Sequence, residues 1–442
     1  MKTDLQNEEI HRYLRVYNYY KELIMSGQLP AGAKLPSIRK GAMQLQMSRT
    51  TMETAYMILA AEGYIISRPQ SGYYVTDIAQ KQREQEPPQI RKADEEPEIR
   101  FDFASSNVDK ESFRFELWRR YMKSALRQDE RLLSYGEPQG ESEFRKVLAQ
   151  YLRENRNVVC TPRQIVIGAG VQSLLHVLCP LIREKKAAAF YNPQFLQGRA
   201  VFEDYGFEIA EDYRRKGVGV YYISPSQMTK LGRVMSVADR MNLIREASER
   251  GFLIIEDDYN SEFKYFQKPV PSMQGLAGGK GVVYLGTFSK MLLPSIRMSF
   301  MILPPELLER YEKRKNSYNQ TASKAEQIAL TQFIRDGHLA SQIRKSRKIH
   351  MAKAAELARR VQEVFGEEAG VQIGEAGFHI LAELKTTMTA EELAGSARER
   401  GVAVVPLGEE NGKAEIMLNC ANVAVEDYEQ ALTELKKCVE SR

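Results

Sequence analysis

Cysteine is scarce in this chain: four among 442 residues, Cys160, Cys179, Cys420 and Cys438. No two of them form a Cys-x-x-Cys pair, so neither a zinc site nor a disulfide framework is expected, and reduced thiols of a cytoplasmic protein are the natural state. Long apolar runs are also missing. The opening "MKTDLQNEEIHRY" has no apolar signal core, and nothing approaches the roughly 18 residues that a spanning helix needs. No internal repeat stands out. A strong charge imbalance is absent too: a net charge of +5 is too mild to establish a nucleic-acid partner by itself. What is present is a 43% apolar content, enough for a buried core, in a chain too long for one ordinary domain.

Residues 78–100, "IAQKQREQEPPQIRKADEEPEIR", are almost wholly polar and carry Pro87, Pro88 and Pro97. Such a segment has little to bury and reads as a linker between domains at 1–77 and 101–442. In the first, Ile10, Tyr13, Leu14, Tyr17, Tyr20 and Ile24 trace one helical face. "GQLPAGAKLP" breaks that helix. Ser37 is placed to cap a second helix, Ser37 to about Leu45. Ser48 is placed to cap a third, with Met52, Ala55, Tyr56 and Leu59 at core spacing. "YIISRPQSGYYV" reads as two short strands around a turn at Arg68 to Gly72.

Two helices joined by a tight turn make a helix-turn-helix, and the second would offer Ser48, Arg49, Thr50 and Thr51 to the major groove. Arginine suits a guanine edge, and serine and threonine suit phosphates or bases. The hairpin, with Arg68, Gln70 and Ser71 at its tip, would be a wing, and Arg39 and Lys40 would lie near phosphate. A small helical domain with a polar surface would carry the same pattern. The segment from Gly27 to Val75 nevertheless resembles a winged helix of the GntR family. The resemblance rests on the Leu-Pro-Ser-x-Arg run at Leu35 to Arg39, the Ser-Arg-x-Thr start at Ser48, Ala55-Tyr56, Gly63-Tyr64 and Ser71-Gly72. It implies binding to a double-stranded DNA operator, with Arg39, Arg49, Thr51 and Gly72 foremost among the contacts.

The larger segment alternates helical stretches with the apolar strands "QIVIGAG", "AAAFYN", "GVYYIS", "FLIIEDD" and "GVVYLGTFSK". That is the pattern of a mostly parallel sheet covered by helices, an α/β fold. From about Lys345 onward, weaker strands among helices suggest a smaller α+β lobe. Lys290 follows a buried strand directly. A desolvated lysine is favoured as the amine and is able to form a Schiff base with an aldehyde cofactor. Pyridoxal 5'-phosphate needs such a lysine, an acidic partner for its pyridine nitrogen and a phosphate anchor. Asp257 and Asp258 alternate faces at another strand end, so only one of them faces a site. "VIGAGVQSLLHVL" supplies a glycine-rich turn into a helix, a phosphate site in combination with Thr287, Ser289 and Arg297.

Three runs, "YGEPQGESEFRKVLAQYLRENRNVVCTPRQIVIGAGVQSLL", "IIEDDYNSEF" and "GTFSKMLLPSIR", resemble the class I aminotransferase group of fold-type I pyridoxal-phosphate proteins. The resemblance implies that Lys290 forms the Schiff base and that Asp257, 33 residues earlier, pairs with the pyridine nitrogen. Tyr259 would reach the phenolic oxygen. Val171 and Gln172 amides, Thr287 or Ser289, and Arg297 would hold the phosphate. Phe195 would stack on the ring, and Tyr135 would reach the phosphate of a neighbouring subunit. A winged helix linked to this fold is the architecture of the MocR/GabR regulators, and the resemblance implies a homodimer, not membrane-bound, whose large domain senses a small amino compound or pyridoxal phosphate itself and modulates operator binding. Two departures stand out. Thr229 occupies the place of an asparagine near the cofactor oxygen. Met417 occupies the place of the arginine that binds substrate carboxylate, which argues for vestigial turnover or none. An active aminotransferase carrying a DNA-binding module is the alternative. His379 in "GFHIL" also matches the family, but a buried structural histidine is the better reading than a catalytic role.

Overall fold

The computed structural model describes residues 2–77, 97–105, 107–229, 231–259, 261–263, 270–366, 369–375 and 379–440. Contacts divide the chain into two units, Met1–Glu96 and Pro97–Arg442. The expected linker falls at this division, and its residues 78–96 lie outside the described part.

The first unit contains α1 (Lys2–Ser26), α2 (Ile38–Leu45), α3 (Arg49–Ala61) and a hairpin of β1 (Ile65–Arg68) and β2 (Gly72–Val75). Both expected caps are present. Ser37 Oγ accepts from the Lys40 amide, and Ser48 Oγ accepts from the Thr51 amide, each satisfying an orphan donor of a first turn. Gln46 ends α2 in the left-handed conformation, which turns the chain tightly into α3. Gly41 lets the two helices meet, because a Cβ there would lie 2.5 Å from Met52 Cε. Met52, Ala55, Tyr56 and Leu59 are fully buried. Tyr56 stands edge-on to both Tyr20 and Tyr73, with centroids 5.4 and 5.1 Å away, and so ties α1, α3 and β2 into one core. The buried face of α1 is Val16, Tyr17, Tyr20 and Ile24. Leu14, expected on that face, is exposed, because Val16 takes the inward position beside Tyr17. The Ile10 side chain lies outside the described part.

The second unit is built on a seven-stranded sheet in the order β4-β10-β9-β8-β7-β5-β6. Its strands are β4 (Ile165–Gly168), β5 (Ala187–Phe190), β6 (Glu208–Ala210), β7 (Val220–Ile223), β8 (Leu253–Asp258), β9 (Val282–Thr287) and β10 (Ser299–Ile302). All neighbours run parallel except β10, which is antiparallel to both β4 and β9. Alternation sends Ile165, Ile167, Tyr284, Phe300 and Ile302 into one apolar cluster and Val166, Val283, Leu285 and Met301 into another. Both faces of the sheet are therefore covered, and the central strands read as continuous apolar runs. Two short strands, β3 (Phe101–Asp102) and β13 (Val402–Ala403), pair in parallel. A four-stranded antiparallel sheet forms the smaller lobe, in the order β11 (Gly370–Ile373), β12 (His379–Lys385), β15 (Lys413–Asn419), β14 (Val405–Glu410). The helix His338–Phe365 packs on it. Among the described residues, no helix is long and apolar enough to cross a membrane.

Candidate functional site

The parallel strands β5, β7, β8 and β9 end at one edge of the sheet, the edge where open α/β sheets place their ligands. A cavity of about 710 Å³ opens there. Nine of the ten residues expected around a cofactor line it: Val171, Gln172, Phe195, Asp257, Tyr259, Thr287, Ser289, Lys290 and Arg297. Tyr135, the tenth, is fully exposed and does not line the cavity of its own chain.

Strand alternation separates the paired aspartates. Asp257 faces the cavity, while Asp258 turns to the other side. There Asp258 accepts from Arg156 Nε at 2.8 Å, Tyr284 Oη at 2.6 Å and Ser226 Oγ at 2.7 Å. Glu256, on the same face as Asp258, accepts from the Met273 and Gln274 amides, both at 2.9 Å. These buried bonds pin the end of β8, and with it the position of Asp257.

Burial pushes the Asp257 carboxyl up to about 6, against the lowering effect of a 2.7 Å hydrogen bond from Tyr222 Oη to its Oδ2. Its Oδ1 is buried and makes no hydrogen bond among the described residues. Burial lowers the pKa of Lys290, with the charge of Asp257 pulling the other way. The Lys290 Nζ stands 4.8 Å from the centroid of the Tyr259 ring.

At the β4 edge, the helix Val171–Leu178 directs its N-terminus toward the cavity. Gly170, with φ +95°, admits the Arg297 guanidinium: a Cβ there would lie 2.6 Å from Nη2. Ser289 Oγ is buried with no hydrogen bond among the described residues, and Thr287 Oγ1 accepts from the Ser289 amide and from Ser299 Oγ. A helix N-terminus, a guanidinium and hydroxyls around one space suit a phosphate. The donor set therefore fits pyridoxal phosphate: an amine, an acceptor for a ring N–H, an aromatic ring and an anion cup.

Tyr222 was not singled out by the sequence, because "GVYYIS" reads only as a strand. Its position one strand over from Asp257 becomes visible once β7 and β8 are paired, with Tyr222 beside Ile255. Asn192, Gln194, Gln197, Ser224 and Ser299 also line the cavity without a sequence signal. Two expectations shift, those for Thr229 and Met417, while the structural reading of His379 agrees with its burial. Thr229 does not line the cavity and instead accepts from the Arg233 amide. Met417 sits half-buried on β15 between Leu381 and Val405, away from the lining. His379, at the start of β12, is buried and pushed down to about 4, by burial first and by the charge of Lys290 second.

In the first unit, Arg39, Ser48, Arg49, Thr50 and Gly72 are exposed and Ser71 is partly so. Thr51, expected among the DNA contacts, is buried, and its hydroxyl lies 2.7 Å from Ser48 Oγ. It closes the cap rather than facing outward. On the wing, the Arg68 guanidinium lies 4.4 Å from the centroid of the Tyr74 ring.

The fold defines a winged helix-turn-helix followed by a fold-type I aminotransferase-like domain. Residues 12–75 match the family of bacterial regulatory proteins, gntR family, and residues 99–435 match aminotransferase class I and II. The chain is 35% identical to the uncharacterized HTH-type transcriptional regulator YdeL of Bacillus subtilis, over 97% of this chain and 96% of that one. It is 27% identical to the "Probable rhizopine catabolism regulatory protein MocR" of Rhizobium meliloti, over 91% and 87% of the two chains. An archaeal alanine:glyoxylate aminotransferase shares the fold of the second unit, with a TM-score of 0.68 at 22% identity over 77% of this chain and 91% of that one. The chain belongs to the MocR/GabR-type transcriptional regulators, a gntR-family winged helix fused to a class I and II aminotransferase domain.

Proposed function

We propose that this regulator holds pyridoxal 5'-phosphate in the cavity at Lys290 and that the state of this site governs how the winged helix grips operator DNA. The observation that carries the reading is a pair of orphans. Asp257 Oδ1 and Ser289 Oγ are both buried, both line the cavity with Lys290, and both lack a hydrogen bond among the described residues. Buried polar atoms are usually hydrogen-bonded to protein or ordered water, and two that face one cavity beside Lys290 are placed where a bound polar ligand would meet them.

In this reading Lys290 would hold the cofactor covalently through its ε-amine, whose neutral, nucleophilic form burial favours. Asp257 accepts from the ring nitrogen, and Tyr259 donates to the phenolic oxygen. Phe195 packs on the ring. The Val171 and Gln172 amides, Thr287, Ser289 and Arg297 hold the phosphate, with Tyr135 of a neighbouring subunit closing it in a homodimer. When bound, the cofactor supplies an electrophilic carbon that amines engage. The effector is thus an amino compound meeting that carbon, or the cofactor itself. Ligand control requires unequal affinity for two states of the protein, whichever of these acts. Arg39, Ser48, Arg49, Thr50, Ser71 and Gly72 supply the DNA-facing surface, in a cytoplasmic setting.

The test is enrichment of duplexes from a random library by the full chain, followed by affinity measurements without ligand, with pyridoxal phosphate, and with amines added. A change in operator affinity on adding either ligand supports the reading. Operator binding indifferent to both overturns it, and steady interconversion of an amino acid and a keto acid would favour the enzymatic alternative.

A further inference from the structure

Helix α3 turns Thr51, Met52, Ala55, Tyr56 and Leu59 inward, so its outward stripe is Arg49, Glu53 and Met57, at i, i+4 and i+8. A carboxylate on a surface that meets phosphates is unfavourable unless it has work there. Glu53 has a partner. Arg49 Nε donates to Glu53 Oε1 at 3.2 Å, with the side chains 76% and 47% exposed.

The geometry of that bond matters more than its strength, since an exposed i, i+4 pair contributes little to stability. Guanidinium has one edge carrying Nε and an end carrying the two Nη groups. Occupying Nε leaves the Nη end free, and that end is able to donate in parallel to guanine O6 and N7. The neighbouring hydroxyls do not compete for the arginine. Thr54 Oγ1 donates to the Thr50 carbonyl at 3.0 Å, and Ser48 and Thr51 are bonded to each other.

We propose that Glu53 is a specificity determinant of operator recognition. It orients Arg49 end-on toward a guanine edge and, by its charge, weakens binding to unrelated sequence. The proposal rests on α3 being the recognition helix.

The test uses the full chain as wild type, Glu53→Ala, Glu53→Gln and Arg49→Ala. Each is measured at fixed salt on the duplex that the wild type enriches from a random library, on its single-base-pair variants and on a scrambled duplex. Glu53→Ala is expected to raise affinity for the scrambled duplex by roughly threefold or more. It is also expected to cut discrimination by roughly fivefold or more at the one base pair where Arg49→Ala loses it. Glu53→Gln, whose amide oxygen still accepts from Nε, is expected to share the first effect and to retain part of the discrimination. Alanine is a good helix former, so unchanged thermal unfolding of the variant is expected to exclude a folding defect. Two results overturn the proposal: unchanged discrimination in Glu53→Ala, or a loss at a base pair that Arg49→Ala leaves intact, which would make Glu53 itself the reader. Failure of the wild type to enrich any sequence would instead remove the underlying reading of α3.

Discussion

Tyr222 donates its phenolic hydrogen to one carboxylate oxygen of Asp257, at 2.7 Å, and the other oxygen is buried without a hydrogen bond among the described residues. The bond favours the charged carboxylate in a place where burial opposes it. Tyr222→Phe removes that support, so the Asp257 pKa is expected to rise further and pairing with a ring N–H to weaken. Near pH 7 a smaller fraction of Asp257 would be ionised, so affinity for pyridoxal phosphate is expected to fall by roughly threefold or more and to recover as pH rises. Titrations of cofactor absorbance between pH 5 and 8 check this. An unchanged affinity would show that Tyr222 plays no part in tuning the site.

Asp257 also links cofactor-free stability to pH. Its folded pKa, about 6, lies above the ordinary value of 3.8. Between those values the folded state holds a proton that the unfolded state has released, so stability falls as pH rises through the window. Above pH 6 the cost is about 3 kcal/mol. Asp257→Asn has no such proton to lose. Relative to wild type, the variant without cofactor is expected to gain stability from about pH 4 to about pH 6 and to level off above, read as the difference in urea midpoints. Parallel curves would refute the assignment. Glu256 and Glu262, whose pKa values burial also raises, are present in both proteins and cancel in the comparison.

Gly170→Ala tests the phosphate cup. The new methyl would lie 2.6 Å from Arg297 Nη2, at a φ of +95° that L-residues resist. Affinity for pyridoxal phosphate is expected to drop by roughly a factor of ten or more, while affinity for pyridoxal, which has no phosphate, stays close to wild type. Equal losses for both compounds would place the phosphate elsewhere.

Arg156 and Asp258 are both buried and joined at 2.7 Å. Arg156→Ala leaves the Asp258 charge uncompensated and is expected to destabilise the second unit by about 3–5 kcal/mol. Denaturant unfolding of the full chain measures this, and a loss below 1 kcal/mol would mean that the network at the end of β8 is not structural.

Much of this was legible in the sequence, for identifiable reasons. Ser37 and Ser48 announced two helices because a side-chain cap is a local interaction. The continuous apolar strands announced a covered parallel sheet, and the alternation of Asp257 with Asp258 followed from the two-residue period of a strand. β6 and β10 were not legible. The first is three residues long, and the second, "SFMI", follows the Lys290 segment so closely that it merges with it. Tyr222 was hidden because its meaning depends on register between strands 35 residues apart. Thr51 was misplaced because its motif position does not say which way the side chain turns; the Ser48 cap decides that.

The most direct test of the central claim is borohydride reduction of the protein with pyridoxal phosphate, for wild type and Lys290→Ala, followed by peptide mass spectrometry. Wild type is expected to carry a phosphopyridoxyl group on the peptide containing Lys290, and the variant none. A modification of equal yield on the Lys290→Ala protein, or its absence from the wild type, would contradict it.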